Sequence, residues 1–281
     1  MKVIINVLLL SLFLVASLCA SGRIDTGNQS DAPRNPGTLV TYIANGGVLI
    51  SSGDKHVLID GLHREYKPDY AFPPDALRKS LESAAPPYDK VSLILVTHVH
   101  LDHFHPLSVG LHLQNNRRAK LVSSEQIAEA VKKDFSGFRE IESRVIRVPH
   151  QWKTKVALNV SGIKLKGLGL RHASPHFSWI QNLGYVVDLN GKKFLHIGDA
   201  DMTEENFASL GLEDESIDVA FIPYWYLLSS AGRAIVQNQI RPKHVIAVHV
   251  PPAEVDRISD QVRNAYAGAV TFAMILETRT F

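Results

Sequence analysis

The chain has little cysteine and little net charge. Cysteine occurs once in the 281 residues, at Cys19. A domain beyond this position therefore contains no disulfide and no thiolate ligand, so any metal in it must be held by imidazole and carboxylate groups. The 30 Lys and Arg residues nearly balance the 28 Asp and Glu residues, which leaves a formal net charge of +2. This balance does not indicate binding to nucleic acid or to an acidic membrane surface.

Long apolar runs are scarce too, and the clearest one lies at the start of the chain. After Lys2, residues 3–18 are apolar apart from one asparagine and two serines, and small residues follow at 19–22. This pattern predicts a signal peptide over residues 1–22, and hence a secreted or periplasmic protein. The run is short for a membrane span, so no stable span is expected after cleavage. A lipid anchor at Cys19 is the alternative.

The remainder reads as a tether followed by one domain. Residues 23–37 are polar and rich in Gly, Asn, Asp and Pro, which predicts a flexible linker. In residues 38–281, predicted strands meet at turns such as Asn45-Gly46-Gly47 and Asn190-Gly191. Two halves are visible, each with strands first and helices later. This order predicts a mixed α/β (α+β) domain, a four-layer αββα sandwich with two stacked sheets between helices.

The densest group of candidate ligands is the stretch Thr97-His98-Val99-His100-Leu101-Asp102-His103. It directly follows the apolar run 91–96, a predicted buried strand. In an extended segment alternate side chains share a face, so His98 and His100 point the same way. If the chain then turns into a helix, Asp102 and His103 reach the opposite wall of the pocket. The stretch therefore predicts ligands for two metal ions rather than a merely solvated loop.

Four more candidates lie at the ends of predicted strands. They are Asp60, His172, Asp199 and His249, each after an apolar run. Strand ends are rigid supports, which a metal site needs for fixed ligand geometry. Asp60 faces the same end of the sheet as the histidine cluster if the strands pair.

This combination resembles the metallo-β-lactamase fold superfamily from about Thr38 to the end of the chain. The resemblance implies one ion held by His98, His100 and His172. It implies a second ion held by Asp102, His103 and His249, with Asp199 bridging the two. Asp60 would accept a hydrogen bond from a ligand imidazole and fix its orientation. The ligand set suits two divalent ions, zinc first, with manganese or iron as alternatives.

Such a site implies hydrolysis. Two ions about 3.5–4 Å apart share a water, lower its pKa and hold hydroxide as the nucleophile. The expected substrate is a small or lipid-like molecule with an ester-type bond, a lactone or a phosphodiester, and Asp102 beside the water is positioned to take its proton. Two alternatives stand: a non-catalytic metal-binding periplasmic domain, and a dinuclear iron redox protein. Relatives of the latter usually carry Glu at the position of His100, together with an additional flavin or rubredoxin module.

The third motif departs from the family pattern. The segment Arg171-His172-Ala173-Ser174-Pro175-His176 lacks the usual Gly-His-Ser/Thr, which makes His176 a rival to His172 and disfavours β-lactam hydrolysis. The pattern is similar to the branch that contains ascorbate-phosphate lactonase and N-acyl phosphatidylethanolamine phospholipase D. Aromatic residues after the predicted strands form a candidate substrate wall: Phe177, Trp179, Tyr224, Trp225 and Tyr226.

Overall fold

The computed structural model describes residues 37–281. The predicted signal peptide, and all but the last residue of the predicted linker, lie outside the described residues. Within the described part of the chain, no helix has the length and apolar character needed to cross a membrane.

The strands form two seven-stranded sheets. The first sheet begins with β1 (Leu39–Ala44), β2 (Gly47–Ser52), β3 (Lys55–Ile59), β4 (Leu93–Leu95), β5 (Lys120–Ser123) and β6 (Val145–Arg147). The second sheet contains β7 (Lys155–Val160), β8 (Ile163–Leu170), β9 (Asn182–Leu189), β10 (Lys192–His196), β11 (Val219–Pro223), β12 (His244–Val248) and β13 (Val270–Thr271). A last strand, β14 (Thr278–Thr280), returns to the first sheet and pairs antiparallel with β1.

Helices cover the outer face of each sheet. Those on the first sheet are α1 (Asp75–Glu82), α2 (Pro106–Asn115), α3 (Glu125–Asp134) and α4 (Phe138–Ile141). Those on the second are α5 (Glu204–Phe207), α6 (Tyr224–Leu228), α7 (Ser230–Ile235), extended by a π-helical turn at Val236–Ile240, and α8 (Val255–Ala265). The predicted four-layer αββα sandwich is therefore confirmed.

The period of two along the strands explains these layers. In β3, Val57 and Ile59 pack between the two sheets, whereas Leu58 packs under the helices. In β10, Phe194 faces the other sheet and Leu195 faces the helices. Strands buried on both faces need apolar residues at every position, and each fully buried side chain of this size contributes about 1.5–3 kcal/mol.

The end of the chain differs from the sequence-based expectation. One strand is predicted over residues 270–276, but β13 ends at Thr271 and the chain crosses to the first sheet before β14. Phe272 is buried between the sheets and stacks on Tyr42 of β1 with ring centroids 5.0 Å apart. Packing of this ring favours the crossing over a longer edge strand.

The topology brings the predicted ligands to one edge. β3 runs parallel to β4, and β10 runs parallel to β11 and β12. β8 is antiparallel to β9, which is antiparallel to β10, so β8 and β10 also point the same way. Residues that follow β3, β4, β8, β10 and β12 therefore collect at the carboxyl ends of the strands, where open α/β sheets bind ligands.

Candidate metal centre

Seven of the predicted residues come together as two adjacent groups of potential ligands. The first ligand group is His98, His100, His172 and Asp199, and the second ligand group is Asp102, His103 and His249. Within each group the ligand atoms lie within 4.8 Å of one another. The loops after β4, β8, β10 and β12 each supply part of this arrangement.

Asp199 lies between the two groups. Its Oδ1 is 3.4 Å from His103 Nε2 and its Oδ2 is 3.3 Å from His249 Nε2. In the second group, Asp102 Oδ2 is 3.0 Å from His249 Nε2 and 3.5 Å from His103 Nε2. Bonds of about 2.0–2.1 Å in a tetrahedral zinc site place neighbouring ligand atoms about 3.3 Å apart. The distances of 3.0–3.5 Å around His103 and His249 match the spacing of ligands around a cation.

The donor atoms themselves fit a cation as well. Nε2 of His98, His103, His172 and His249 and Oδ1 of Asp199 are buried and lack a hydrogen-bond partner among the described residues. Buried polar atoms are normally paired, because an unpaired one costs about 1–3 kcal/mol. Five such atoms at one place form a set of donors that is suited to divalent metal ions once the imidazoles have lost their protons.

Asp60 and Thr97 orient two of the imidazoles. The Asp60 carboxylate accepts hydrogen bonds from the Thr97 backbone N–H at 2.8 Å, the Thr97 hydroxyl at 2.6 Å and His103 Nδ1 at 2.8 Å. The Thr97 oxygen lies 3.0 Å from His98 Nδ1 and can accept its proton. With Nδ1 held in this way, Nε2 of each ring is directed toward the centre.

His172 is held by its own loop. Its Nδ1 donates to the Ala173 carbonyl at 2.6 Å, which directs Nε2 toward His98 and His100. His176 is exposed on the following 3₁₀ turn and belongs to neither ligand group. The structure thus brings His172, and not its rival, to the centre.

Three buried polar side chains support the centre without being predicted as functional. Asn45 Nδ2 donates to Asp102 Oδ2 at 2.9 Å and to the Asp102 carbonyl at 3.1 Å. Asn182 Oδ1 accepts the Asp199 N–H at 3.2 Å. His196 donates from Nε2 to the Gly46 carbonyl at 2.8 Å and accepts the Gly198 N–H at 3.0 Å. In the sequence, each of these residues is a polar residue at the end of an apolar strand, and this position was the signal that could have identified them.

The backbone near the centre is tightly packed, and this explains two glycines. A Cβ on Gly46 would lie 3.0 Å from the His103 ring. At Gly198 the backbone has φ of +58°, and a Cβ would lie 2.5 Å from Asn182 Oδ1. A side chain at either position would displace groups that carry or support ligands.

His249 itself has a left-handed backbone, with φ of 64°. For a residue other than glycine this costs roughly 1–2 kcal/mol. Its backbone N–H donates to the Asn45 carbonyl at 3.1 Å. The turn directs the imidazole from the end of β12 toward Asp102 and Asp199.

Neighbouring carboxylates raise the pKa of the imidazoles in the second ligand group. Burial lowers the pKa of His249, but the charge of Asp199 and the close polar contact with Asp102 outweigh it and raise that pKa to about 9. The same two carboxylates overcome burial at His103 and hold its pKa well above the usual value. Conversely, although burial opposes it, the adjoining histidines hold the pKa of Asp102 and that of Asp199 below their usual range.

Aromatic side chains surround the centre on both sides. Phe177 lies edge-on to His100, with ring centroids 4.8 Å apart, and Trp225 lies edge-on to His249 at 5.0 Å. Tyr70, in the loop between β3 and α1, contacts His249 at 5.3 Å and was not predicted. Tyr226 is buried in the core, so only part of the predicted aromatic wall faces the centre.

These features define an αββα protein with a candidate two-ion site of histidine and aspartate ligands. A family described as the beta-lactamase superfamily domain matches residues 57–265, which is 209 of 281 residues. The chain therefore belongs to the metallo-β-lactamase superfamily. The narrower branch proposed from the third motif stays a prediction.

One sequence relative and two solved structures are similar to this chain, and the solved structures show a likeness of fold. The chain is 27% identical over 218 residues to a metal-dependent hydrolase of Natranaerobius thermophilus, covering 74% of this chain and 81% of that protein. A metallo-β-lactamase fold protein from Bacillus subtilis matches with a TM-score of 0.58 and 14% identity, covering 88% of this chain and 100% of the other. A diiron β-hydroxylase from Streptomyces venezuelae has a TM-score of 0.52 and 12% identity, with coverage of 88% and 54%.

Proposed function

We propose that this protein is a metal-dependent hydrolase that cleaves an ester-type bond, a lactone or a phosphodiester. The observation that carries the proposal is the convergence of five buried donor atoms that have no hydrogen-bond partner within residues 37–281; they belong to His98, His103, His172, His249 and Asp199. The similarity to a protein named as a metal-dependent hydrolase supports it. A small or lipid-like ester is the expected substrate.

The first ligand group would hold one cation and the second group the other, with Asp199 reaching both. When bound, two divalent ions supply Lewis-acid polarisation of the scissile group and lower the pKa of water. The imidazole and carboxylate donors favour zinc, and manganese or iron would fit the same ligands.

The protein's own residues supply orientation and a base. Asp60 and Thr97 hold the rings of His103 and His98 in place before any substrate arrives. Asp102 is fixed by Asn45, and its low pKa keeps it ionised at neutral pH. An ionised carboxylate beside the reacting centre accepts a hydrogen bond from the attacking water, and it would accept the proton of that water when bound ions lower the water's pKa.

We also propose that the protein is exported, because residues 1–22 have the pattern of a signal peptide. Cell fractionation tests this directly. Recovery of the full-length, uncleaved chain in the cytoplasm would contradict it.

The hydrolase proposal is tested with chelator-treated protein that is reloaded with zinc, manganese or iron. Bis(p-nitrophenyl) phosphate, a p-nitrophenyl ester and a lactone are assayed with and without chelator. We expect metal-dependent turnover of at least one substrate and its loss in His100→Ala. His244→Ala, an exposed histidine at the start of β12, is the matched control and should retain turnover.

Metal-replete protein that hydrolyses none of these bonds would leave the non-catalytic metal-binding alternative. Activity that requires iron and a reductant, with none in zinc-loaded protein, would favour the redox alternative.

A further inference from the structure

A cavity of about 530 Å³ lies beside the second ligand group. Its walls come from the loop before α1, the residues after β12, and the segment that crosses from β13 to β14. Every side chain in its lining is uncharged. The volume falls within the roughly 300–1,000 Å³ that is usual for small-molecule sites.

The cavity and the candidate metal centre share a wall. Tyr70 lines the cavity, and its ring also meets the His249 ring at right angles with centroids 5.3 Å apart. Val250, the residue after His249, lines the cavity as well. The rings of Tyr70 and His249 therefore form the boundary between the cavity and the candidate metal centre.

The chemistry of the lining selects an apolar group. Rings and aliphatic groups come from Tyr42, Phe72, Val255, Phe272 and Ile275, and none of the described residues in the lining carries a cation that could pair with an anion. At its rim, Met274 is 70% exposed, so the approach from solvent is apolar too. Such a lining suits an alkyl or acyl chain and disfavours a charged group.

We propose that a substrate whose reacting bond lies at the centre extends past Tyr70 and places its acyl or alkyl chain in this cavity, which makes the protein a hydrolase of ester-type bonds in molecules with an apolar chain. This inference rests on the proposed function and narrows its substrate from ester-type bonds in general. Burial of each methylene group contributes about a fourfold gain in binding.

The test compares p-nitrophenyl acetate, butyrate, hexanoate and octanoate with the metal-loaded protein. We expect kcat/KM to rise about fourfold per buried methylene. Ala273→Trp places a large ring in the lining from an exposed position, so the fold should be retained. It should reduce the octanoate ester's kcat/KM at least tenfold and leave that of the acetate ester unchanged. Ala267→Trp, at an exposed alanine outside this lining, is the matched control and should behave as wild type.

A binding experiment separates this inference from the hydrolase proposal. Calorimetric titration with sodium octanoate and sodium acetate measures binding to the cavity without requiring turnover. We expect octanoate to bind at least tenfold more tightly than acetate to wild type and Ala267→Trp, and this preference to disappear in Ala273→Trp. If the preference is found but no ester is hydrolysed, the cavity assignment holds and the hydrolase proposal fails.

Equal behaviour of Ala273→Trp and Ala267→Trp toward long chains, in proteins that do hydrolyse esters, would overturn the inference. So would a kcat/KM that does not rise from the acetate ester to the octanoate ester. In both cases the proposed hydrolase would stand with a different substrate.

Discussion

The two ligand groups contain similar residues, yet the pKa of the imidazoles is lowered in the first group and raised in the second. In the first group, burial lowers the pKa of His98 well below its usual value, that of His100 to about 4, and that of His172. In the second group the carboxylates of Asp102 and Asp199 raise the pKa of both His103 and His249. The difference arises from the position of the carboxylates, because both groups are buried at the same edge of the sheets.

This difference determines how protons compete with metal ions. An imidazole must be neutral to bind a cation, so a ligand with a raised pKa releases a proton on binding. The first group is already neutral at pH 7 apart from its ionised aspartate. The second group carries protons on its imidazoles. We therefore expect the two groups to take up metal with different dependence on pH.

The largest effect is expected from the residue that the two groups share. Asp199→Asn removes the charge that reaches both His103 and His249, so we expect fewer than two bound ions and loss of hydrolysis. Elemental analysis of bound metal together with the ester assay measures this. Asp201→Asn, two residues along the same loop, is the control and should retain two ions. Two ions and full activity in Asp199→Asn would show that the groups do not depend on Asp199.

The next largest effect is the loss of the ion held by the first ligand group alone. His172→Ala removes one of its imidazoles, so we expect loss of one ion and of turnover, while the second group still binds. His176→Ala, in the exposed turn that follows, should leave both unchanged. The reverse pattern would identify His176 as the ligand.

A smaller and graded effect is expected in the pH dependence of metal affinity, which should differ between the two groups. Because the pKa of His249 is raised to about 9, its proton is present below that pH and must leave when metal binds. Affinity of the second ion should fall by about tenfold for each unit that the pH is lowered from 8 to 6, per proton released. The affinity of the first ion should change less over the same pH range. Competition titrations with a chromophoric chelator measure both, and equal slopes would contradict the expected difference.

The smallest effect is expected at Asp60, which orients a ligand imidazole without being assigned to either ligand group. Asp60→Asn weakens the hydrogen bond to His103 Nδ1, and changes of this kind typically reduce metal affinity about 10–100-fold. The same chelator titration measures it. Asp54→Asn, in the exposed turn before β3, is the control. An unchanged affinity in Asp60→Asn would mean that His103 is oriented by packing alone.

The sequence allowed the local part of this site to be predicted. His98, His100, Asp102 and His103 stand within six positions after an apolar strand, so the alternation of side chains already places them around one pocket. Strand ends with His172, Asp199 and His249 add to that pattern, because parallel strands share an edge. The two sheets follow from the order of strands and helices.

Contacts between distant segments could not be predicted in the same way. Asn45 reaches Asp102 across 57 positions, and His196 reaches the Gly46 carbonyl across 150. A buried asparagine in a turn gives no sign of which partner it meets. Tyr70 and the crossing at Phe272 depend on how loops pack after the sheets have formed, and no periodicity records that packing.

The most direct measurement is anomalous diffraction at the zinc edge from crystals of the zinc-loaded protein at pH 8. We expect two peaks about 3.5–4 Å apart, as in other two-metal sites. His98, His100 and His172 should surround one peak, and Asp102, His103 and His249 the other, with Asp199 reaching both. A single peak, or peaks that these side chains do not contact, would contradict the two-ion site on which the proposed hydrolysis depends.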